Sequence, residues 1–399
     1  MGGHSNLGRR VIGRLRMCLS LRFWQSLKRG WNGYMRRERW VLSLLRTRML
    51  FRLRVEGLLH SSRSLRGWSQ SKVKIWVDGR EFFPRLRQLI RKSQRSIVIQ
   101  MFIWRDDRLG RELAAALVEA ADRGVQVDIT KDAMGDGFEF ASDFVGTRRS
   151  ASAPWDRFWR HPAIAVRHFS GGEHAKIFVV DGKVLLLGGM NVGTEYLEWH
   201  DYFVELRGRY WVEAFLQGRS ILSVNGTVEL ILNAPGGRMN VRPKLRQLLL
   251  DARSSILLEH SYFSDPETIE VLARRSHEGV RVTLILPEAP DVHGHANLQA
   301  VDRLMSQGEP RNIRIFTFPR NLHAKLLLVD RRKLFIGSAN LIASSLDTLG
   351  EANVLIRMGH RKLLRRMRRA LRYDMSISKL LVGRRRFSLW SAVLARVGL

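Results

Sequence analysis

The sequence predicts an α/β fold built twice, two duplicated α/β units rather than one continuous domain. Three observations lead to this. From Lys72 onward, short runs of β-branched and aromatic residues alternate with stretches of helical periodicity. The same order of strands and helices returns about 150 residues later, as an internal duplication requires. Each copy ends in nearly the same hairpin, EHAKIFVVDGKVLLLGGMN at 173–191 and LHAKLLLVDRRKLFIGSAN at 322–340.

In the first copy VKIWV predicts a strand and EFFPRLRQLIRKSQ a helix. SIVIQMFIW is a strand, GRELAAALVEAADR a helix and VQVDITK a strand. The second copy repeats this as TVELIL, VRPKLRQLLLDAR, SSILLEHSYF, PETIEVLARRSHEG and VRVTLILP. RSIVIQMFI answers SSILLEHSY, and RGVQVDI answers EGVRVTL. Each unit is expected to hold a mostly parallel sheet covered by helices. Residues 136–162 break the pattern with turn formers, four Phe and two Trp, and predict a long loop whose aromatics face substrate or lipid, or pack on the body. The basic stretch His360–Arg372 sets Leu364, Met367 and Leu371 on one face and is expected to close the second unit with its arginines outward. His293 and His295 lack a third ligand nearby and read as a loop.

The hairpins carry a five-position pattern: His174, Lys176, Asp181, Gly188 and Asn191 in the first, His323, Lys325, Asp330, Gly337 and Asn340 in the second. Residues two apart on a strand share a face, so His and Lys emerge together. The chain turns near the Asp and returns, bringing Asn to the His–Lys end. Ammonium and amide groups suit phosphate oxygens. An imidazole serves as nucleophile or as proton donor, not both in one step. Two copies supply two histidines: if the halves face each other, one attacks phosphorus while the other protonates the leaving oxygen. The two lysines take the place of a metal, so neither metal nor cofactor is expected.

The chain has 399 residues, 45% of them apolar, a single cysteine, Cys18, and a net charge of +31. One cysteine excludes an intrachain disulfide and a cysteine-built metal site, and fits a reducing compartment. The charge is concentrated at the ends. Residues 1–70 hold 16 Lys and Arg against Glu38 and Glu56, and residues 357–399 hold 13 against Asp374. Such ends seek polyanions, an anionic membrane or nucleic acid. Residues 7–19 fit an amphipathic helix, with Leu7, Val11, Ile12, Leu15, Cys18 and Leu19 on one face and Arg9, Arg10, Arg14 and Arg16 away from it; residues 36–59 are similar. These stretches suit a membrane interface; docking on the protein is the alternative. No apolar run has the length of a spanning helix, and the start does not read as a secretory signal, although an organelle transit peptide stays open. The expected division is 1–70 as a membrane-association segment, 71–222 as the first half and 223–399 as the second.

With these motifs in view, the sequence resembles the phospholipase D superfamily from about Lys72 onward, and within it bacterial cardiolipin synthases. HAKIFVVD…GGMN and HAKLLLVD…GSAN are similar to its two H-x-K-x4-D motifs, supported by GGMNVGTEY, WHDYFVELRG, FIWRDDRLG, YFSDPE and SANL followed by Glu351. The resemblance implies two α/β halves related by a pseudo-twofold axis with one active site between them. It implies two-step phosphatidyl transfer through a phosphohistidine, with His174 as nucleophile and His323 as general acid, then base. Lys176, Lys325, Asn191, Asn340 and Ser338 would bind phosphate, and Asp201 and Glu351 would orient the histidines. Asp181 and Asp330 complete the catalytic motifs but are expected to be structural, at the turns.

Three departures stand out. Gly189 replaces the Ser that follows the motif glycine in the second copy, Ser338. IASS, with Ser344, stands where the family often has Asp-x-Arg-Ser. Glu173 precedes His174 and either raises its pKa or faces solvent. The implied function is a peripheral phosphatidyltransferase at the cytoplasmic face of the membrane, making cardiolipin or a related phospholipid from phosphatidylglycerol. Hydrolysis with water as acceptor is the alternative. A nuclease is disfavoured because the charge lies at the ends, and a non-enzymatic lipid-binding role because both motifs are intact. One chain carries both half-sites; the oligomeric state is open.

Overall fold

The computed structural model describes residues 72–133, 135, 153–169 and 171–381. The amphipathic stretches at 7–19 and 36–59 lie outside the described residues. The first half runs β1 (Lys72–Val77), α1 (Asp78–Lys92), β2 (Ser96–Met101), α2 (Arg108–Asp122), β3 (Gln126–Asp132), α3 (Ala153–Arg160), β4 (Ile164–Phe169), β5 (Lys176–Val180), β6 (Val184–Gly188), β7 (Tyr202–Arg207) and α4 (Arg209–Leu216). The second runs β8 (Ile221–Leu222), β9 (Val228–Asn233), α5 (Val241–Leu250), β10 (Ser255–His260), α6 (Pro266–His277), β11 (Arg281–Pro287) and α7 (Gly294–Gln307). It continues with β12 (Ile313–Phe318), β13 (Lys325–Val329), β14 (Lys333–Gly337), α8 (Ala343–Asp347), β15 (Glu351–Ile356), α9 (Arg361–Ile377) and β16 (Lys379–Leu380).

The two sheets have the same plan. One is ordered β1-β7-β6-β5-β2-β3-β4; the other, read from its opposite edge, is β8-β9-β15-β14-β13-β10-β11-β12-β16. Removing the two-residue edge strands leaves seven equivalent strands in each, so the duplication extends to every core strand. The sheets are mixed rather than mostly parallel, a correction to the expectation from sequence. Only β2–β3–β4 and β10–β11–β12 pair in parallel; the other core strand pairs are antiparallel. Helical crossovers permit parallel neighbours, whereas the tight turn of each motif hairpin forces an antiparallel one. A second correction concerns 136–162: within the expected loop, Ala153–Arg160 is helical and Phe158 is buried against Trp104.

Each half has its own apolar core. Phe82 and Phe203 stack at 3.7 Å in the first, beside Phe83, Leu86, Ile97, Ile99 and Leu117, all at most 1% exposed. In the second, Leu258, Leu284, Ile315, Leu327 and Phe335 do the same work. Burying each such side chain contributes about 1.5–3 kcal/mol, enough to hold the sheets rigid beneath the site. Helix starts follow local chemistry: Asp107 accepts from Gly110 N–H at α2, and Asp265, followed by Pro266, accepts from Thr268 N–H at α6. Helix α9 buries Leu364, Met367, Leu371 and also Asp374. One of its arginines turns to the first half: Arg366 donates to the Ile75 carbonyl at 2.7 Å and pairs with Glu81.

Candidate active site

The motif hairpins are built alike. Lys176 opens β5 and sits opposite Gly188 of β6, so Asn191 returns to the Lys end. The Lys176 ammonium is fully buried, donates to the His174 carbonyl at 2.6 Å and lies 5.1 Å from the Phe102 ring centre. Phe102 meets the His174 ring edge-on at 5.2 Å. In the second half, Lys325 is 1% exposed and donates to the His323 carbonyl and to Ser261 Oγ. Tyr262 stands over it as Phe102 stands over Lys176.

Backbone pairing then brings the two hairpins together. His174 and Ala175 N–H groups both donate to the Gly350 carbonyl, at 2.9 and 3.0 Å, and Gly350 N–H donates to Gly172. Reciprocally, His200 N–H donates to Asn321 and His323 N–H to His200, each at 2.8 Å. Gly350 and His200 are the residues just before Glu351 and Asp201. The register therefore sets each histidine beside the other half's carboxylate. His174 Nδ1 is 2.9 Å from Glu351 Oε1, and His323 Nδ1 is 2.7 Å from Asp201 Oδ2. Each motif histidine thus takes its carboxylate from the other half.

The two pairs differ in electrostatics. Burial lowers the His174 pKa and the Lys176 charge adds to this, with Glu351 opposing. Glu351 is itself held below the usual carboxylate range: burial pushes it up, but His174, Lys176 and the Ser338 hydroxyl outweigh that. Ser345 Oγ also donates to it. Asp201 goes the other way. Burial raises it to about 7, against Lys325 and the N–H of Tyr202. His323 falls well below its ordinary value through burial and the neighbouring Lys325. Glu351 beside His174 is thus held towards its ionised form, while Asp201 beside His323 is pushed towards its protonated one. Burial also lowers Lys176 to about 7 and Lys325 to about 8. An incoming phosphate, negative and close to both, favours their charged forms.

Gly189 follows from the same geometry. A Cβ there would fall 2.4 Å from Asp201 Oδ2, so the first half has no room for the side chain that Ser338 carries in the second.

Some sequence-predicted residues stand elsewhere. Asp181 and Asp330 lie at the far ends of their strands, about 17 Å along the chain from the lysines at strand rise. Asp181 accepts N–H groups of Gln94, Arg95 and Ser96; Asp330 accepts those of Arg253, Ser254 and Ser255. They clamp hairpin turns to the loops before β2 and β10 and leave the catalytic group, as their turn position implied. Ser338 is fully buried with its hydroxyl committed to Glu351, so it supports that carboxylate instead of a phosphate oxygen. Asn191 accepts from Ile103 N–H and donates to the Tyr196 hydroxyl; Asn340 accepts from Ser261 Oγ, which leaves its amide nitrogen as a donor. Glu173 Oε2 accepts from the Gln100 side-chain amide at 3.1 Å.

Sequence reasoning missed the aromatic wall. Trp199 lies 5.3 Å from the His323 ring, Tyr196 packs against Trp199, and Tyr262 donates to Asp291 at 2.8 Å. The available signal was an aromatic residue just beyond each of β2 and β10. His293 packs on Tyr262 at 4.9 Å, so its loop borders the site without supplying a ligand set.

The family described as "Cardiolipin synthase, PLD-like domain" matches residues 86–209 and 245–375, one segment in each half. The chain is 26% identical to a cardiolipin synthase of Halalkalibacterium halodurans over 72% of its own length and 63% of that protein's. It is also 26% identical to cardiolipin synthase B of Escherichia coli K12, over 73% of this chain and 77% of that one. The chain thus spans under two thirds of the first of these relatives. Among solved structures, phosphatidylserine synthase of Haemophilus influenzae superposes with a TM-score of 0.63 at 14% identity, covering 82% of this chain and 91% of the other, a likeness of fold.

Proposed function

This chain belongs to the family of cardiolipin synthase PLD-like domains, and on that premise we propose that it is a phosphatidyltransferase that makes cardiolipin, or a related phospholipid, from phosphatidylglycerol. The observation that carries the reading is the crossed pairing of His174 with Glu351 and of His323 with Asp201.

Nδ1–H of His174 donates to an ionised carboxylate, which leaves the Nε2 lone pair free to attack phosphorus. The P–O bond to the headgroup glycerol breaks, and its oxygen takes the proton held by the His323–Asp201 pair. Lys176, Lys325 and the Asn340 amide hold the phosphoryl oxygens as charge shifts. A second phosphatidylglycerol then gives its hydroxyl proton to His323, its oxygen attacks phosphorus, and the P–N bond to His174 breaks. Two phosphatidylglycerols yield cardiolipin and glycerol, and the enzyme is returned unchanged.

Residues 71–222 and 223–399 act as the two halves of one catalytic unit in this reading, with 1–70 as a membrane-association segment. No described helix is long and apolar enough to cross a membrane. Attachment at the cytoplasmic leaflet is supported by the basic ends and by the exposed cations of α9, among them Arg361, Lys362, Arg365 and Arg372. Each contributes about 1 kcal/mol near an anionic leaflet.

The test is a product assay with phosphatidylglycerol vesicles and a His174→Ala control, lipids being identified by mass. Cardiolipin and glycerol from the wild type alone support the proposal. Phosphatidic acid as the main product makes the protein a hydrolase instead.

A further inference from the structure

Beside the crossed pairs lies a buried polar cluster that the transfer reaction does not use. His200 comes from the segment before β7, Glu259 from β10 and Asp374 from α9, and all are at most 3% exposed. Glu259 Oε1 and Asp374 Oδ2 are fully buried and make no hydrogen bond. Each stands 3.6 Å from His200 Nε2, and no two of the three atoms are more than 4.8 Å apart.

Around them Asp78 and Tyr202 take up His200 Nδ1 and the second oxygen of Glu259. His200 Nδ1 is 2.7 Å from Asp78 Oδ1, and the Tyr202 hydroxyl donates to Glu259 Oε2 at 2.6 Å while lying 3.0 Å from His200 Nε2. The first half has no counterpart. Gln100 occupies the strand position equivalent to Glu259, facing Ile177 as Glu259 faces Leu326, and its amide is spent on Glu173.

A protonated His200 satisfies Tyr202 and Asp78 but leaves both orphan oxygens in place and three carboxylates against one imidazolium. Buried, unpaired carboxylate oxygens are costly. A divalent ion removes both problems. Bonds of about 2.0 Å to a tetrahedral ion set neighbouring ligand atoms about 3.3 Å apart, near the 3.6 Å from His200 Nε2 to each carboxylate oxygen. The surroundings are those of a metal site, with the distal histidine nitrogen held by a carboxylate and the second oxygen of the glutamate held by a hydroxyl. One imidazole among two carboxylates disfavours Mg2+ and Ca2+, which take all-oxygen shells.

We propose that His200 Nε2, Glu259 Oε1 and Asp374 Oδ2 bind a structural divalent transition-metal ion, Zn2+ before its neighbours. The sequence pointed to no metal, and the phosphoryl chemistry needs none. The ion's work is to fasten α9 to both halves and to fix His200, whose carbonyl receives the N–H of His323 and whose neighbour Asp201 holds its ring.

The test is the metal content of untagged, full-length protein purified without chelator from medium supplied with zinc, manganese and iron. One ion per chain is expected in the wild type and in His174→Ala, with loss of that ion in Asp374→Asn and Glu259→Gln. Tyr202→Phe is expected to weaken metal affinity about 10-fold. Should the variants not fold, X-ray absorption on the wild type decides, the expected shell being imidazole and carboxylate at about 2.0 Å. Wild-type protein without a stoichiometric ion overturns the proposal. So does an ion retained in both carboxylate variants, or an absorption spectrum lacking imidazole.

Discussion

The two hairpins have the same fold and the same motif, yet they hold their histidines in opposite electrostatic settings. His174 faces Glu351, which takes two serine hydroxyls and stays ionised. His323 faces Asp201, which has a single backbone donor besides the ring, and whose pKa rises to about 7. The difference traces to two positions in each copy: Gly189 against Ser338, and Tyr196 against Ser345. A duplicated unit thus acquires two roles without losing its symmetry of backbone: the crossed strands supply identical geometry, and the neighbours of each carboxylate decide where the proton rests.

The largest expected effect separates the two histidines. His174→Ala is expected to abolish transfer from every donor, by about 10⁴-fold or more. His323→Ala is expected to lose about 10²–10⁴-fold with phosphatidylglycerol but little with a nitrophenyl phosphodiester, whose leaving group needs no proton. Steady-state rates with both donors check this, and equal losses with both donors in both variants contradict the division of labour.

Next come the carboxylates. Glu351→Gln and Asp201→Asn are each expected to lower kcat about 10²-fold or more by disturbing the imidazole tautomer. Because the pairs cross, each variant should impair the histidine of the opposite half. Imidazole nitrogen chemical shifts of His174 and His323 test that assignment, the expected change in Glu351→Gln being at His174.

The lysines give a pH prediction. Lys176 at about 7 and Lys325 at about 8 lose charge as pH rises through that window, so kcat/KM is expected to fall above pH 8. Their folded values lie below the unfolded 10.5, so between pH 7 and 10.5 the folded state binds fewer of these protons. The stability they contribute therefore rises with pH while activity falls. Thermal melts run beside the rate profile distinguish the two, since a parallel drop in Tm attributes the lost activity to unfolding.

Smaller effects concern the turns and the glycine. Gly189→Ala is expected to cost about 1–3 kcal/mol and to impair His323, because the new Cβ overlaps Asp201. At the hairpin turns, Gly182 has φ 62° and Arg331 φ 59°. Arg331→Gly is expected to stabilise the fold by about 1 kcal/mol and Gly182→Ala to weaken it similarly, both read by denaturant melts.

Local pattern made much of this legible in advance. The hairpins, their His–Lys–Asn ends and the turn role of the Asp follow from strand period and spacing alone. Strand direction did not follow, because KIFVV and YFVELR carry the same local signal whatever their neighbours. The crossing of the pairs was also hidden. It depends on bridges from Glu173 to Gly350 and from His200 to Leu322, well over 100 residues apart in sequence. The His200–Glu259–Asp374 cluster is scattered more widely still, and an acid on the buried face of a basic helix, Asp374, stands out only once α9 is docked.

The most direct test of the account is to stop turnover on phosphatidylglycerol under alkaline conditions and locate the covalent adduct by peptide mass. A phosphatidyl group on His174 is expected in the wild type and absent from His174→Ala. An adduct on His323, or none in protein that is turning over, contradicts the assignment of the two histidines.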